Sequence, residues 1–142
     1  MKVPTHKILL TLFLGLFATA FAAVGQCDTT AQYARTYLGD DFISDGQSYR
    51  ALLYDDQVAE FHTTLFGGSK YRIVSFSGRE KGQLIFSLYD QEDNLLFSNE
   101  GHENSPHWDF EVEESLDCRL EARLDQVKQS SGCVVLLIGF ER

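Results

Sequence analysis

From Gly67 to Phe97 the chain reads GGSKYRIVSFSGREKGQLIFSLYDQEDNLLF, and this stretch limits the choice of fold more than any other. Tyr71 to Phe76 is rich in aromatic and β-branched side chains and stops at Ser77-Gly78. Leu84, Phe86 and Leu88 then alternate with Gln83, Ser87 and Tyr89. Only an extended chain puts such alternating groups on opposite faces. Asp90 to Asn94 supplies turn residues before Leu95 to Phe97 resumes the run.

The same spacing recurs along the chain. Tyr49 to Tyr54 reads as a strand, and Val58 to Phe66 sets Ala59, Phe61, Thr63 and Leu65 against Glu60, His62 and Thr64. Trp108, Phe110 and Val112 alternate with His107, Asp109 and Glu111. Leu116, Cys118, Leu120, Ala122 and Leu124 alternate with Asp117, Arg119, Glu121 and Arg123. Cys133 to Phe140 breaks the rule, being apolar on both faces, and so reads as a central strand covered on both sides. About eight short strands separated by turns predict an all-β fold, a two-sheet antiparallel β-sandwich of jelly-roll-like form. Its expected core holds Ile73, Phe86, Leu88, Trp108, Phe110, Leu120, Leu124, Val135 and Leu137.

One short N-terminal helix is expected from Cys27 to Leu38, capped by Asp28 or Thr29 and ended by Gly39. A helix of about three turns is marginal alone and must pack on the sandwich. Upstream, Lys2 and Lys7 precede an apolar run from Ile8 to Ala22, with Ala20-Phe21-Ala22 as a small-x-small cleavage site. The expected organisation is a secretory signal peptide over 1–22, a helix and loop over 23–47, and the sandwich over 48–142. The run is short of the ~20 apolar residues of a membrane span, so no span is expected after cleavage. The destination is periplasmic or extracellular. Losing Lys2 and Lys7 takes the formal charge from −9 to −11. That acidity disfavours nucleic acid and anionic membranes as partners.

Export to an oxidising compartment predicts a disulfide, and three cysteines leave one thiol over. Cys118 and Cys133 lie on consecutive strands. A hairpin between those strands, turning at Lys128-Gln129, would place Cys118 opposite Gly139 and hold the two cysteines about 20 Å apart, beyond bridging reach. Cys27 and Cys133 both lie at element ends, so they are the expected pair, with Cys118 buried and reduced.

The segments GGSKYRIVSFSG, GQLIFSLYD, HWDF and GCVVLLIGF resemble small exported proteins of Bacteroidetes. More distantly, their order resembles the β-sandwich of the bacterial pre-peptidase C-terminal domain, with its Gly-x-x-Tyr strand entry and its alternating strand ending in Asp. The resemblance covers roughly Tyr49 to Phe140 and implies a non-catalytic accessory or binding module. The chain departs from that pattern in its cysteines and in carrying no enzyme within its 142 residues.

Chemistry-bearing residues are few. There is no Gly-x-Ser-x-Gly elbow. His62 and His107 fall on outward strand faces, where solvated imidazoles are usual. The loop from Asn99 to His107 is the densest polar cluster, and His102, Glu103 and His107 there are ligand types for zinc or a similar ion. It follows no established zinc spacing. Asp40-Asp41, Asp55-Asp56 and Asp90 with Asp93 and Asn94 offer oxygen ligands, which makes calcium the metal these turns would hold. Turn geometry favours the same residues without any ion. Trp108 shares a face with Phe110 and Val112, so Tyr89 is the better candidate for a ring presented to a glycan. The reading is therefore an exported non-enzymatic β-sandwich that binds or supports an envelope protein or glycan. Its alternative is a metal-dependent hydrolytic enzyme using the loop around His102 and His107.

Overall fold

A computed structural model of the chain describes Gly25 and residues 27–142; the expected signal peptide over 1–22 lies outside the described residues. Helix α1 spans 27–35. Nine strands follow: β1 (Phe42–Ser44), β2 (Tyr49–Tyr54), β3 (Val58–Leu65), β4 (Ser69–Ser77), β5 (Leu84–Tyr89), β6 (Leu95–Ser98), β7 (His107–Val112), β8 (Leu116–Leu124) and β9 (Ser131–Glu141). A 3-10 turn covers Asn99–His102. β1 belongs to the segment expected to be loop before the sandwich, and only Phe42 of its three residues is buried. The sandwich thus begins before residue 48.

Two antiparallel sheets make the sandwich. One has the order β1-β9-β4-β7, with β2 also pairing β9, and the other has the order β3-β8-β5-β6. β1 and β2 pair opposite ends of β9, Phe42 facing Glu141 and Tyr54 facing Ser131. β4 runs along the other edge of β9, where Ile73 faces Ile138 and Phe76 faces Val135. The doubly apolar run is therefore central, as its composition requires.

Two cores lie on the two faces of that first sheet, where one was expected. Between the sheets, Ile73, Val134, Leu136 and Ile138 meet Phe86, Leu88, Leu120 and Leu124. On the far face Val74, Phe76, Val135 and Leu137 meet Ala31, Ala34 and Leu38 of the helical segment. Val135 and Leu137 thus belong to the helix-covered core. Gly139 lies under Leu38, and a Cβ there would come within 2.6 Å of the leucine Cδ1, so a larger residue would push the Leu38 side chain aside. Trp108 and Phe110 are only half-buried, because β7 is an edge strand.

Cys27 is joined to Cys133, 106 residues away, with Cα atoms 5.3 Å apart, and this bond fastens the helix to the start of β9. Cys118 is free and buried in the intersheet core, its thiol pushed up to about 11 chiefly by burial. The hairpin argument against a Cys118–Cys133 pair does not describe the fold: β8 and β9 lie in different sheets. What separates these cysteines is that Cys118 points between the sheets and Cys133 toward the helix.

The end of the helical segment is clamped as well. Arg72 donates to both oxygens of Asp109 at 2.7 and 2.8 Å and to the Leu38 carbonyl at 3.1 Å. Its guanidinium lies 4.3 Å from the centre of the Phe42 ring. Asp109 is held below the usual carboxylate range, first by that hydrogen bond to Arg72. His107, expected on a solvated face, lies on this helix-covered side, its ring centre 6.4 Å from that of Tyr37. Its Nδ1 is buried without a hydrogen-bond partner among the described residues.

These contacts generate three expected outcomes. Breaking the Cys27–Cys133 bond should lower stability by several kcal/mol, with about 5 as the ceiling for a loop of roughly 100 residues; urea denaturation with and without reductant measures it. Phe86→Ala removes a fully buried ring and should cost about 3–5 kcal/mol, whereas half-buried Trp108→Ala should cost clearly less in the same assay. Burial, then the Arg72 charge, lowers the His107 pKa, with Asp109 acting against both and Lys81 with them. The unfolded chain consequently binds a proton near pH 6.5 that the folded chain resists. Stability should fall as pH drops through about 6.5, and His107→Phe should flatten that part of the urea-midpoint profile.

Candidate functional site

The polar loop that attracts attention in the sequence is a structural joint. Asn99 is fully buried; its side chain accepts from the Phe86 amide at 2.9 Å and donates to the Leu84 and Ser105 carbonyls at 3.1 and 3.0 Å. Asn104, also buried, donates to the Gly82 carbonyl and to Asp125. These amides satisfy backbone groups that burial would otherwise leave unpaired. Glu100 pairs with Arg123 at 2.8 Å.

His102 and His107 do not converge. His102 stacks on Phe97 with ring centres 5.4 Å apart and lies 4.3 Å from Trp108. Trp108 packs on the intersheet core, while the adjacent His107 lies on the opposite face of β7. Phe97 also contacts Phe86, Trp108 and Phe110. This aromatic column fills the side of the sandwich where β6 and β7 are unpaired edges. His62 is exposed and lies 2.9 Å from Glu60.

Two of the turn acids, Asp90 and Asp93, are likewise engaged. Asp90 accepts from the amides of Glu92 and Asn94 and from the Asn94 side chain, all within its own turn. Those bonds, the Asn94 side chain first, keep the Asp90 pKa low. Asp93 pairs with Arg119 at 2.8 Å. Among the described residues no group of three or more His, Cys, Asp or Glu is placed to hold a metal ion.

The outer face of the β3-β8-β5-β6 sheet carries a charged lattice. Arg119 joins Glu121 and Asp93, and its guanidinium lies 4.5 Å above the Tyr89 ring, covering the ring expected to be presented. Asp117 accepts from Thr64 and Gln91. A shallow depression of about 450 Å³ there is lined by His62, Thr64, Asp93, Asp117 and Arg119. Arg119 there is already matched to Asp93, and Asp117 to the neutral Thr64 and Gln91.

A different opening lies at one end of the sandwich, where turns 66–68, 90–94 and 113–115 meet. Gly67 donates to Ser115 Oγ at 3.0 Å and Gly68 to the Val112 carbonyl at 2.7 Å. A Cβ on Gly67 would fall 2.6 Å from the Glu113 carbonyl, so only glycine lets these turns close on each other. Beside them is a cleft of about 390 Å³, floored by Leu65, Leu88, Leu96, Phe110, Val112 and Leu116 and edged by Asp90, Glu111, Glu113 and Glu114. Sequence reasoning passes over it, since Leu95-Leu96 looks like strand interior and the glutamates like solvated turn. The closely spaced acids Glu111, Glu113 and Glu114, set beside a strand pair, are the one trace of it in the sequence.

No protein-family model and no curated protein sequence matches the chain. Among solved structures, PliG of Aeromonas hydrophila, a periplasmic lysozyme inhibitor of g-type lysozyme, is similar over 67% of this chain and 85% of its own, at 7% identity and a TM-score of 0.51. A de novo designed double-stranded β-helix covers 67% of this chain and 99% of its own, at 15% identity and a TM-score of 0.35. At such identities the likeness to PliG is one of fold.

Proposed function

We propose that the protein is an exported, non-enzymatic β-sandwich that works by binding another protein of the cell envelope. The observation that carries this reading is the division of labour among its side chains. Most of the groups weighed for chemistry are engaged in the fold: His102 stacks in the aromatic column, His107 is packed under Tyr37, Asp90 ties its own turn and Asp93 pairs with Arg119. Among the openings, the cleft at the 66–68, 90–94 and 113–115 end combines an apolar floor of ligand-sized volume with acidic edges.

Further support comes from three sides. The fold is shared with a periplasmic inhibitor that acts on a protein, a g-type lysozyme. The Cys27–Cys133 bond belongs to an oxidising compartment, and among the described residues no helix is long and apolar enough to cross a membrane. The pattern resemblance to pre-peptidase C-terminal domains points to an accessory role too. A protein is preferred to a glycan because Tyr89 lies beneath Arg119 and the aromatic column faces inward.

A g-type lysozyme is the first partner to titrate. Calorimetry should give saturable binding, and cell-wall lysis by the lysozyme should slow as complex forms. Ester, peptide and glycoside substrates should not be turned over with zinc or calcium present. Metal-dependent turnover abolished by His102→Ala or Glu103→Ala would overturn the reading in favour of an enzyme.

A further inference from the structure

We propose that the end of the sandwich formed by turns 66–68, 90–94 and 113–115 is the docking surface, and that its occupant is a basic protein segment presenting one large apolar side chain. This rests on the protein-binding reading and adds the place and the chemistry of the partner.

Of the nine exposed large apolar side chains among the described residues, five lie at this end. Phe66 is 64% exposed, Leu95 57% and Leu96 47%, and the cross-strand pair Ile43 and Phe140 is exposed beside Tyr71. An apolar patch of this kind, rimmed by polar groups, marks an interaction site. The cleft volume of about 390 Å³ falls within the range of ligand-binding clefts, about 300–1,000 Å³. Its walls are fixed before binding by the Gly67–Ser115 and Gly68–Val112 hydrogen bonds, which reduces the ordering that binding would require.

Charge selects the occupant. On the outer face of the β3-β8-β5-β6 sheet, Glu60, Asp93, Glu100 and Glu121 all have an arginine within reach. At the cleft, Glu113 and Glu114 have no cationic partner among the described residues, and neither does Glu92 in the adjoining turn, whereas Glu111, on the other face of β7, is the cross-strand neighbour of Lys70. Three unpaired carboxylates around an apolar floor fit lysine or arginine flanking an aliphatic or aromatic side chain. A second copy of this chain fits poorly, because it would bring the same acidic rim and a formal charge of −9 against its like. A glycan fits less well too, since the floor is mainly aliphatic and Phe110 is turned into the core.

The test is methyl and amide NMR on the disulfide-bonded protein. Three synthetic peptides are titrated: one with a central leucine between lysines, one with glycine in place of that leucine, and one with glutamates in place of the lysines. The lysine–leucine peptide should give saturable shifts at the methyls of Leu65, Leu96, Val112 and Leu116, and rising salt should weaken them. The other two peptides should leave those methyls in place. Leu96→Asp and the pair Glu113→Lys with Glu114→Lys should each raise the dissociation constant about tenfold or more, while the core methyls of Ile73 and Leu137 keep their positions as a folding control. Equal shifts from the glycine peptide, shifts from the glutamate peptide, or shifts mapping to the Arg119 face would overturn the proposal, as would no shift at all. A lysozyme complex whose footprint lies elsewhere would overturn this placement and leave the protein-binding reading standing. Failure of the lysozyme titration alongside peptide binding at the cleft would remove that enzyme as partner and leave the surface.

Discussion

Between Cys133 and Phe140, strand β9 carries no charged side chain, so neither of its faces can be left in water there. The fold answers with two separate covers. The second sheet closes over Val134, Leu136 and Ile138, and the helical segment closes over Cys133, Val135 and Leu137. A helix of so few turns would not stay folded by propensity alone. The Cys27–Cys133 bond at one end and the Arg72 clamp on the Leu38 carbonyl at the other hold it across the strand. Gly139 removes the side chain that would lift Leu38 away.

With both faces of the central strand closed, the openings are pushed to the margins of the sandwich. Along the side where β6 and β7 face each other without hydrogen bonds, Phe97, Trp108, Phe110 and His102 close most of the gap. The cleft lies where that aromatic filling ends, between Leu96 and Val112. Charge follows the same geography. Arginines are matched to carboxylates across the outer face of one sheet, where exposed pairs contribute little to stability. Glu92, Glu113 and Glu114 at the open end are left unmatched among the described residues. Fold and surface are thus linked: the need to bury β9 twice decides where apolar surface stays exposed, and the acidic turns decide what can approach it.

Much of this was legible in the sequence, and the limits were physical. Alternation assigned each strand a face, and the doubly apolar run named the central strand, because both follow from the two-residue period of an extended chain. Alternation does not say which strands are neighbours. β8 and β9 are consecutive and read as a hairpin, yet the connection through Asp125 to Ser130 crosses between sheets. β1 was invisible, since three residues with one buried side chain carry no period. The Asn99–His107 loop drew functional notice by residue type, but amides and imidazoles also solve the burial of irregular backbone, as Asn99 does. The cleft was hidden for the converse reason. Whether Leu95 and Leu96 are covered depends on the edge that lies beside them, which local pattern does not contain.

Native-state hydrogen exchange tests most directly the claim that β9 organises both cores. The amides of Val134 to Ile138 should exchange only through global unfolding, in the oxidised and the reduced protein alike. Amides of residues 29–35 should join that global unit when the disulfide is intact and exchange by a separate, cheaper opening once it is reduced. Local opening of β9 at a free energy well below global unfolding, with the second sheet still protected, would contradict the account.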